Sequence, residues 1–358
     1  MLSLSSPRTN VRPFALPDAQ SIARKLLAWY DAHGRELPWR VKGGAADPYR
    51  VWLSEVMLQQ TTVATVRPRF AAWVARWPDV ASLAAADEAD VMAAWAGLGY
   101  YARARNLLKA ARAVVALDGF PRDAAGLRAL PGLGDYTAAA VAAIAWGEAV
   151  TVVDTNVERV VARLCLIETP LPAARPAIRR AAAALVPADR PGDFAQATMD
   201  LGATICTPRR PRCLLCPLRD ECRAFASGDP ERLPVKPARK ARPVRHGTIF
   251  WLERDEAVLL VRRPDKGLLG GMRALPTGPW TSEPPGLADA PVEEDWRVLA
   301  ATLVHGFTHF ELHLALAVAR SPAHDPPDGE WWPVARLGEA GLPTLFANAA
   351  RLVMEEDA

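Results

Sequence analysis

Four of the five cysteines of this 358-residue chain fall between positions 206 and 222, as Cys206, Cys213, Cys216 and Cys222 in the order C-x6-C-x2-C-x5-C, and only Cys165 lies elsewhere. Thiols at this spacing can converge on one cluster, and a fold that uses them so has to be built around that convergence. The N-terminal run MLSLSSPRTNVRPF has no long apolar stretch, and no window of the chain approaches 18 uninterrupted apolar residues. The expectation is a cytosolic protein that does not enter a membrane. In a reducing compartment such a ladder is a metal centre rather than a disulfide framework. Two kinds of centre compete. Zinc ribbons usually pair two C-x2-C steps across a longer loop, whereas one C-x2-C flanked by single cysteines suits a four-iron, four-sulfur cluster better, with zinc as the alternative.

Between Thr207 and Arg212, inside the ladder, Arg209, Arg210 and Arg212 stand without an acidic neighbour, a composition suited to phosphate contacts or to a plain solvated loop. The overall balance is less telling: a formal charge of +3 permits a nucleic-acid partner without requiring one. With half of its residues hydrophobic, the chain has enough apolar material for two domains.

From about Asp18 to Phe225 the pattern is helical. Apolar residues recur at three and four spacing, as in Ile22, Leu26 and Trp29, and Pro38, Gly43-Gly44, Pro78, Gly97, Gly119, Pro131-Gly132 and Pro191-Gly192 punctuate about ten short helices. The domains expected are a tail over 1–17, a helical domain over 18–227 and a basic, proline-rich linker over 228–245, followed by an α+β domain over 246–358. Strands are expected at Thr248–Leu252, Ala257–Arg262 and Leu312–Val318, and a last helix from about Leu345 to Met354. Within the helical domain, Leu127-x-x-Leu130-Pro131-Gly132-Leu133-Gly134-Asp135-Tyr136 reads as helix, tight turn and helix over 127–146. Gly132 and Gly134 suit a turn that needs positive φ, and the uncommitted N–H groups at the second helix start can hold a phosphate. The same pattern also serves as a connector without a ligand.

A helix-hairpin-helix, then an aspartate in Val152-Val153-Asp154-Thr155-Asn156, then the cysteine ladder over 206–222, is an order that resembles the iron–sulfur DNA glycosylases related to endonuclease III. Within that superfamily Trp52-Leu-Ser-Glu55-Val-Met-Leu-Gln-Gln60-Thr61 and Gly97-Leu-Gly-Tyr-Tyr101 resemble the MutY-type adenine glycosylases, and the likeness covers nearly the whole chain. The resemblance implies an all-α catalytic domain carrying a [4Fe-4S] subdomain, followed by an α+β Nudix-like domain. It implies a monofunctional hydrolase that removes adenine mispaired with 8-oxoguanine or guanine in double-stranded DNA, in the cytosol and nucleoid of a bacterium. The lyase relatives carry a lysine where this sequence has Tyr136, which removes the obvious Schiff-base nucleophile. A pyrimidine-lesion glycosylase-lyase and a silent DNA-binding protein are the alternatives. A sliding clamp or mismatch-repair protein is a conceivable partner, and monomer is the default.

Adenine leaves once N7 is protonated, and the sugar passes through an oxocarbenium-like state, so the site needs a proton donor and an anion. Glu55, among Val56, Met57 and Leu58, suits the donor, since burial lifts a carboxyl above its reference value. Asp154 suits the anion, capping a helix that begins near Asn156. A covalent sugar adduct on Asp154 is left open by analogy with retaining glycosidases. Taken singly, such a Glu is usually solvent-facing and such an Asp only a cap. The resemblance further implies that Tyr136 and Asn156 assist near the adenine. It puts Gln60, Leu98 and Tyr100 against the lesion pair, although Leu98 and Tyr100 also suit a core. Two departures are noted: Thr155 where family members commonly have glycine, and Asp200 where a longer glutamate is usual.

In the last domain Lys266-Gly-Leu-Leu-Gly-Gly-Met-Arg273 with Leu275-Pro276 resembles the C-terminal module of the same family. TGPWTSEPPGL after Pro276 cannot form the glutamate-rich helix of Nudix hydrolases, so this domain is expected to bind rather than hydrolyse. His305-Gly306-Phe307-Thr308-His309 resembles the loop that recognises 8-oxoguanine, with Thr308 for serine; Phe307, Thr308 and His309 are the contacts it implies.

Overall fold

A computed structural model describes residues 18–41, 46–237, 242–264, 267–307, 309–320 and 328–356. The tail over 1–17, Gly43-Gly44, part of the proposed linker, Lys266 and Thr308 therefore lie outside the described residues. The described chain divides into two compact units, one within 1–88 and 103–238, the other within 89–102 and 239–358.

The first unit is helical, as expected. Its main helices are α1 (Ala19–His33), α2 (Pro48–Leu58), α3 (Val63–Arg76), the short α4 (Val80–Ala84), then, beyond α5 (Glu88–Ala94) of the second unit, α6 (Ala102–Ala116), α7 (Ala124–Arg128), α8 (Asp135–Trp146), α9 (Thr155–Leu164), α10 (Arg175–Leu185), α11 (Pro191–Thr204) and the four-residue α12 (Arg223–Ala226). Six of these starts have a local cause. Asp18, Asp47, Thr62, Asp79, Asp123 and Asp154 cap their helices with side-chain oxygens, satisfying N–H groups that the first turn leaves unpaired.

The helix α8 is the hub. Thr137 through Ala143 are all buried, and its run of alanines lets neighbours come close. Helix α11 packs against both α8 and α9 through glycines: a Cβ on Gly192 would fall 2.4 Å from the Ala143 carbonyl oxygen, and one on Gly202 would fall 2.6 Å from Asn156 Cβ. The stretch read as a linker contributes to this unit. Leu233 is buried, its carbonyl accepts from Arg163 Nε at 3.0 Å, and Val235 O accepts from Leu171 N at 2.8 Å.

The second unit holds a mixed sheet of β1 (Val244–Arg254), β2 (Ala257–Arg262), β3 (Arg273–Ala274), β4 (Arg297–Gly306), β5 (Glu311–Arg320) and β6 (Glu330–Pro333). The order is β3-β2-β1-β5-β4 with β6 also beside β2, and β1 and β5 run parallel. Helix α13 (Thr344–Glu356) contributes Leu345, Phe346, Ala349 and Val353 to the core of the sheet's one face. The three expected strands lie inside β1, β2 and β5. The sequence does not announce β4, because its alternation is broken: Leu299 and Leu303 point inward, Val298 and Val304 are exposed, and the register shifts between Val298 and Thr302. Residues 277–296 contain no helix.

Candidate active site

Helices α2, α8, α9 and α11 and the turn before α2 enclose a cavity of about 600 Å³ lined by Glu55, Gln60, Tyr136, Asp154, Asn156 and Met199, with Arg35 and Arg40 on its wall. Five residues singled out from sequence thus meet in one place. Glu55 sits on α2, where every residue from Val51 to Met57 is buried, and it is itself only 8% exposed. That burial pushes its carboxyl from an ordinary 4.5 up to about 6, with a hydrogen bond from Tyr136 pulling the other way and the charge of Asp154 adding to the rise. Tyr136 Oη donates to Glu55 Oε2 at 2.8 Å. Burial, helped by Glu55 and Asp154, lifts the phenol well above its usual value, so Tyr136 remains a donor.

Asp154 is the N-cap of α9. Its Oδ1 accepts from the backbone of Asn156 at 2.9 Å and Val157 at 2.7 Å, while Oδ2 accepts from Asn156 Nδ2 at 2.7 Å. Three N–H donors fix both oxygens. Asn156 is held in turn: its Oδ1 accepts from Arg159 Nη2 at 2.9 Å, and Arg159 also donates to the carbonyls of Cys206 at 2.7 Å and Gly202 at 2.7 Å. A guanidinium one turn along α9 therefore ties Asn156 to the backbone of the first ladder cysteine. Thr155, the first departure, is exposed on the cavity rim.

Asp200, the second departure, is fully buried on α11. It accepts from Arg35 N at 2.9 Å and Nε at 2.6 Å and from Arg40 Nη1 at 2.7 Å and Nη2 at 2.9 Å. Burial alone would raise this carboxyl, but Arg40 and Arg35 hold it below the usual carboxylate value. Sequence reasoning missed both arginines and Arg159. The signal available was Arg159 among Val157, Val160 and Val161, a charge on the apolar face of a helix, which demands buried partners.

At the hairpin, Gly132 has φ +77°, as the turn requires, and a Cβ there would fall 2.6 Å from Asn106 Cβ. Gly134 differs from expectation. It is the N-cap of α8 at φ −82°, with no side-chain cap and nothing within 4 Å of a Cβ built there. Its smallness leaves the helix start open rather than permitting a strained turn.

The four ladder cysteines are half-buried and none forms a disulfide. Cys206 follows α11, Cys213 opens the 3-10 turn Cys213–Leu215, Cys216 closes it, and Cys222 is the N-cap of α12. The thiols of Cys213, Cys216 and Cys222 each feel the charge of Cys206, and Arg163 Nη1 donates to Cys206 Sγ at 3.2 Å. Among the described residues no group of three or more His, Cys, Asp or Glu side chains is arranged to hold a metal ion. The chemistry of the donor set nonetheless suits an iron–sulfur group, being four soft thiols within seventeen residues of chain with a guanidinium donor on Cys206. Arg209 and Arg210 are exposed on the same loop, which Arg210 N anchors to Glu231 Oε2 at 2.9 Å. Burial pushes the remaining cysteine, Cys165, up to about 11, an inert thiol.

In the second unit Leu98 is buried and Tyr100 is exposed at φ +48°, Phe307 is half-buried, and His309 is exposed.

Residues 53–187 match the HhH-GPD superfamily of base excision DNA repair proteins, and residues 248–351 match the NUDIX domain. An adenine DNA glycosylase of Homo sapiens is 36% identical over 91% of this chain and 73% of its own length. The chain belongs to the adenine DNA glycosylase family. An adenine DNA glycosylase of Mycolicibacterium smegmatis is 45% identical over 66% of the chain and 82% of that protein. One of Arabidopsis thaliana is 41% identical over 74% of the chain, which spans only 48% of that longer relative. Among solved structures, a thermostable thymine-DNA glycosylase superposes on 58% of the chain and 97% of its own with a TM-score of 0.52 at 27% identity. A trapped endonuclease III–DNA covalent intermediate gives a TM-score of 0.50 at 23% identity, covering 60% of this chain and 99% of that one, a likeness of fold. The cavity of this glycosylase family member lies within the matched helical region or on its flanks.

Proposed function

We propose that this chain hydrolyses the N-glycosidic bond of adenine mispaired with 8-oxoguanine or guanine in duplex DNA and leaves the backbone uncut. The observation that carries this reading is the pairing of two differently treated carboxyls in one cavity, Glu55 raised by burial and Asp154 held by three N–H donors. Environments that separate two acids in this way assign them opposite roles. A cavity of about 600 Å³ accommodates a base taken out of the stack.

With Tyr136 on Oε2, the Oε1 edge of protonated Glu55 faces the flipped adenine and donates to N7. The C1′–N9 bond then breaks with its electrons going to the base, and Asp154 offsets the positive charge that develops on the sugar. Water adds to C1′ and gives its proton to the Glu55 carboxylate, which restores the acid. Asn156 keeps Asp154 in register. Among the described residues no lysine lines the cavity, which supports base release without a Schiff base and strand cleavage.

Cys206, Cys213, Cys216 and Cys222 are the residues that would hold a [4Fe-4S] cluster, and with all four positions taken by thiolates the group supplies ordering of the loop rather than chemistry on substrate. Arg209, Arg210 and the open start of α8 at Gly134 suit phosphates. Gln60, Leu98 and Tyr100 are assigned to the disrupted pair, and Phe307, Thr308 and His309 to the oxidised guanine. The protein is taken to act as a monomer in the cytosol. Single-turnover release of adenine from duplexes holding A opposite 8-oxoguanine, followed by alkali to reveal abasic sites, tests the reading. Excision of thymine glycol with strand cleavage would replace it.

A further inference from the structure

Among the described residues, the loop between β4 and β5 is closed by the backbone bond from Phe307 N to Phe310 O at 2.9 Å and is packed by rings. Phe307 stacks on Trp280 with centroids 5.5 Å apart and planes at 27°, meets Phe310 at 4.9 Å, and receives the edge of His305 at 4.7 Å. Trp280 is therefore the floor of the loop, and it is fixed from several sides. Its neighbour Thr281 exchanges backbone hydrogen bonds with His246 at 2.8 and 2.9 Å. Beneath the indole lies Gly247 of β1, where a Cβ would fall 2.7 Å from Trp280 Cδ1. The Arg263 guanidinium lies 5.1 Å from the centre of the indole and is partly desolvated there; among the described residues it has no acidic partner. Phe310 also meets Trp280 at 6.1 Å, so the three rings form a closed cluster, and a second guanidinium, Arg245, lies 4.8 Å from the Phe310 ring.

We propose that Trp280, covered by Arg263, is a positioning residue that sets the preference for 8-oxoguanine by holding Phe307 in place. This rests on the reading that the Phe307–His309 loop meets the oxidised guanine. Because Phe307 takes its orientation from Trp280, loosening the indole lets the loop sample positions in which its polar groups miss the lesion. The loss falls on the partner strand's oxidised base, not on adenine chemistry, which belongs to Glu55 and Asp154.

The test compares single-turnover adenine release opposite 8-oxoguanine and opposite guanine, using the full-length holoprotein and its Trp280→Leu, Trp280→Phe, Arg263→Gln and Phe307→Ala variants. The ratio of the two rates is read on one preparation, so an inactive fraction cancels. Trp280→Leu is expected to lower the ratio roughly three- to tenfold, the range of one aromatic pair. Trp280→Phe keeps a ring and retains most of it. Arg263→Gln, which leaves the core intact, lowers it about two- to fivefold. The assignment is overturned if Phe307→Ala lowers the ratio while Trp280→Leu and Arg263→Gln leave it unchanged. It is overturned equally if these variants slow both substrates alike. An unchanged ratio in Phe307→Ala removes the loop reading, and this assignment with it. Should Trp280→Leu fail to fold, the Arg263→Gln ratio decides.

Discussion

Replacing Glu55 by glutamine should abolish base release and, at neutral pH, make the protein more stable. Burial raises the folded carboxyl from 4.5 to about 6. In the unfolded chain it returns to its ordinary value, so between these two pH values the folded protein binds the extra proton. Below 4.5 both states are protonated and the site costs nothing; as pH rises through 6 the folded state has to ionise a buried group, and stability is lost. A shift of this size corresponds to about 2 kcal/mol at pH 7.5, shrinking to about 0.8 kcal/mol at pH 5. Glutamine removes that cost while its carbonyl oxygen still accepts from Tyr136 Oη. For a helical unit of this size the gain amounts to roughly 4–8 °C in Tm. Thermal unfolding of the wild-type and Glu55→Gln holoproteins, at one scan rate across pH 5 to 8, measures the gap. The reasoning fails if Glu55→Gln is the less stable protein at pH 7.5, or if the gap does not change with pH.

Tyr136→Phe removes the hydrogen bond that pulls Glu55 downward, so the alkaline fall of the pH–rate profile should move to higher pH while the maximum rate drops about tenfold or more; a profile that stays put would separate Tyr136 from Glu55. Asp200→Asn leaves the Arg35 and Arg40 charges without their buried counter-ion and should destabilise the helical unit by about 3–5 kcal/mol, read as a lower Tm; near-native stability would show that the arginines find other partners. In the wild type the contribution of Asp200 is present at neutral pH and is lost as pH falls through its depressed pKa. Cys213→Ser should lose iron and acid-labile sulfide and, with them, stability and DNA affinity; a stable, tightly binding but inactive variant would give the cluster a chemical role instead.

The chemistry was legible where it was local in the chain. Asp154 caps α9 because an aspartate two residues before Asn156 has its own backbone within reach, and Glu55 is buried with every residue from Val51 to Met57 of a mostly apolar helix. Helix existence followed from apolar periodicity and from Pro and Gly breaks for the same reason. What the sequence hid was set by distant pairing. Asp200 gave no sign of holding Arg35 and Arg40 some 160 positions away, and Arg159 gave none of reaching Cys206. Strand β4 escaped because a register shift broke its alternation, and Gly134, expected at positive φ, lies instead at φ −82° as the uncapped start of α8. Trp280 belongs to the same class. Nothing in TGPWTSE announces that its indole supports Phe307, since that contact depends on a strand lacking a Cβ at Gly247.

The central claim is that Glu55 and Asp154 act together to release adenine, and the most direct measurement is single-turnover base release from a duplex carrying A opposite 8-oxoguanine by the wild type and Glu55→Gln side by side. The wild type should free adenine and leave an abasic site that breaks only on treatment with alkali, while Glu55→Gln binds the duplex and releases nothing. Wild-type turnover by Glu55→Gln, or strand cleavage accompanying excision of an oxidised pyrimidine in place of adenine, would contradict it.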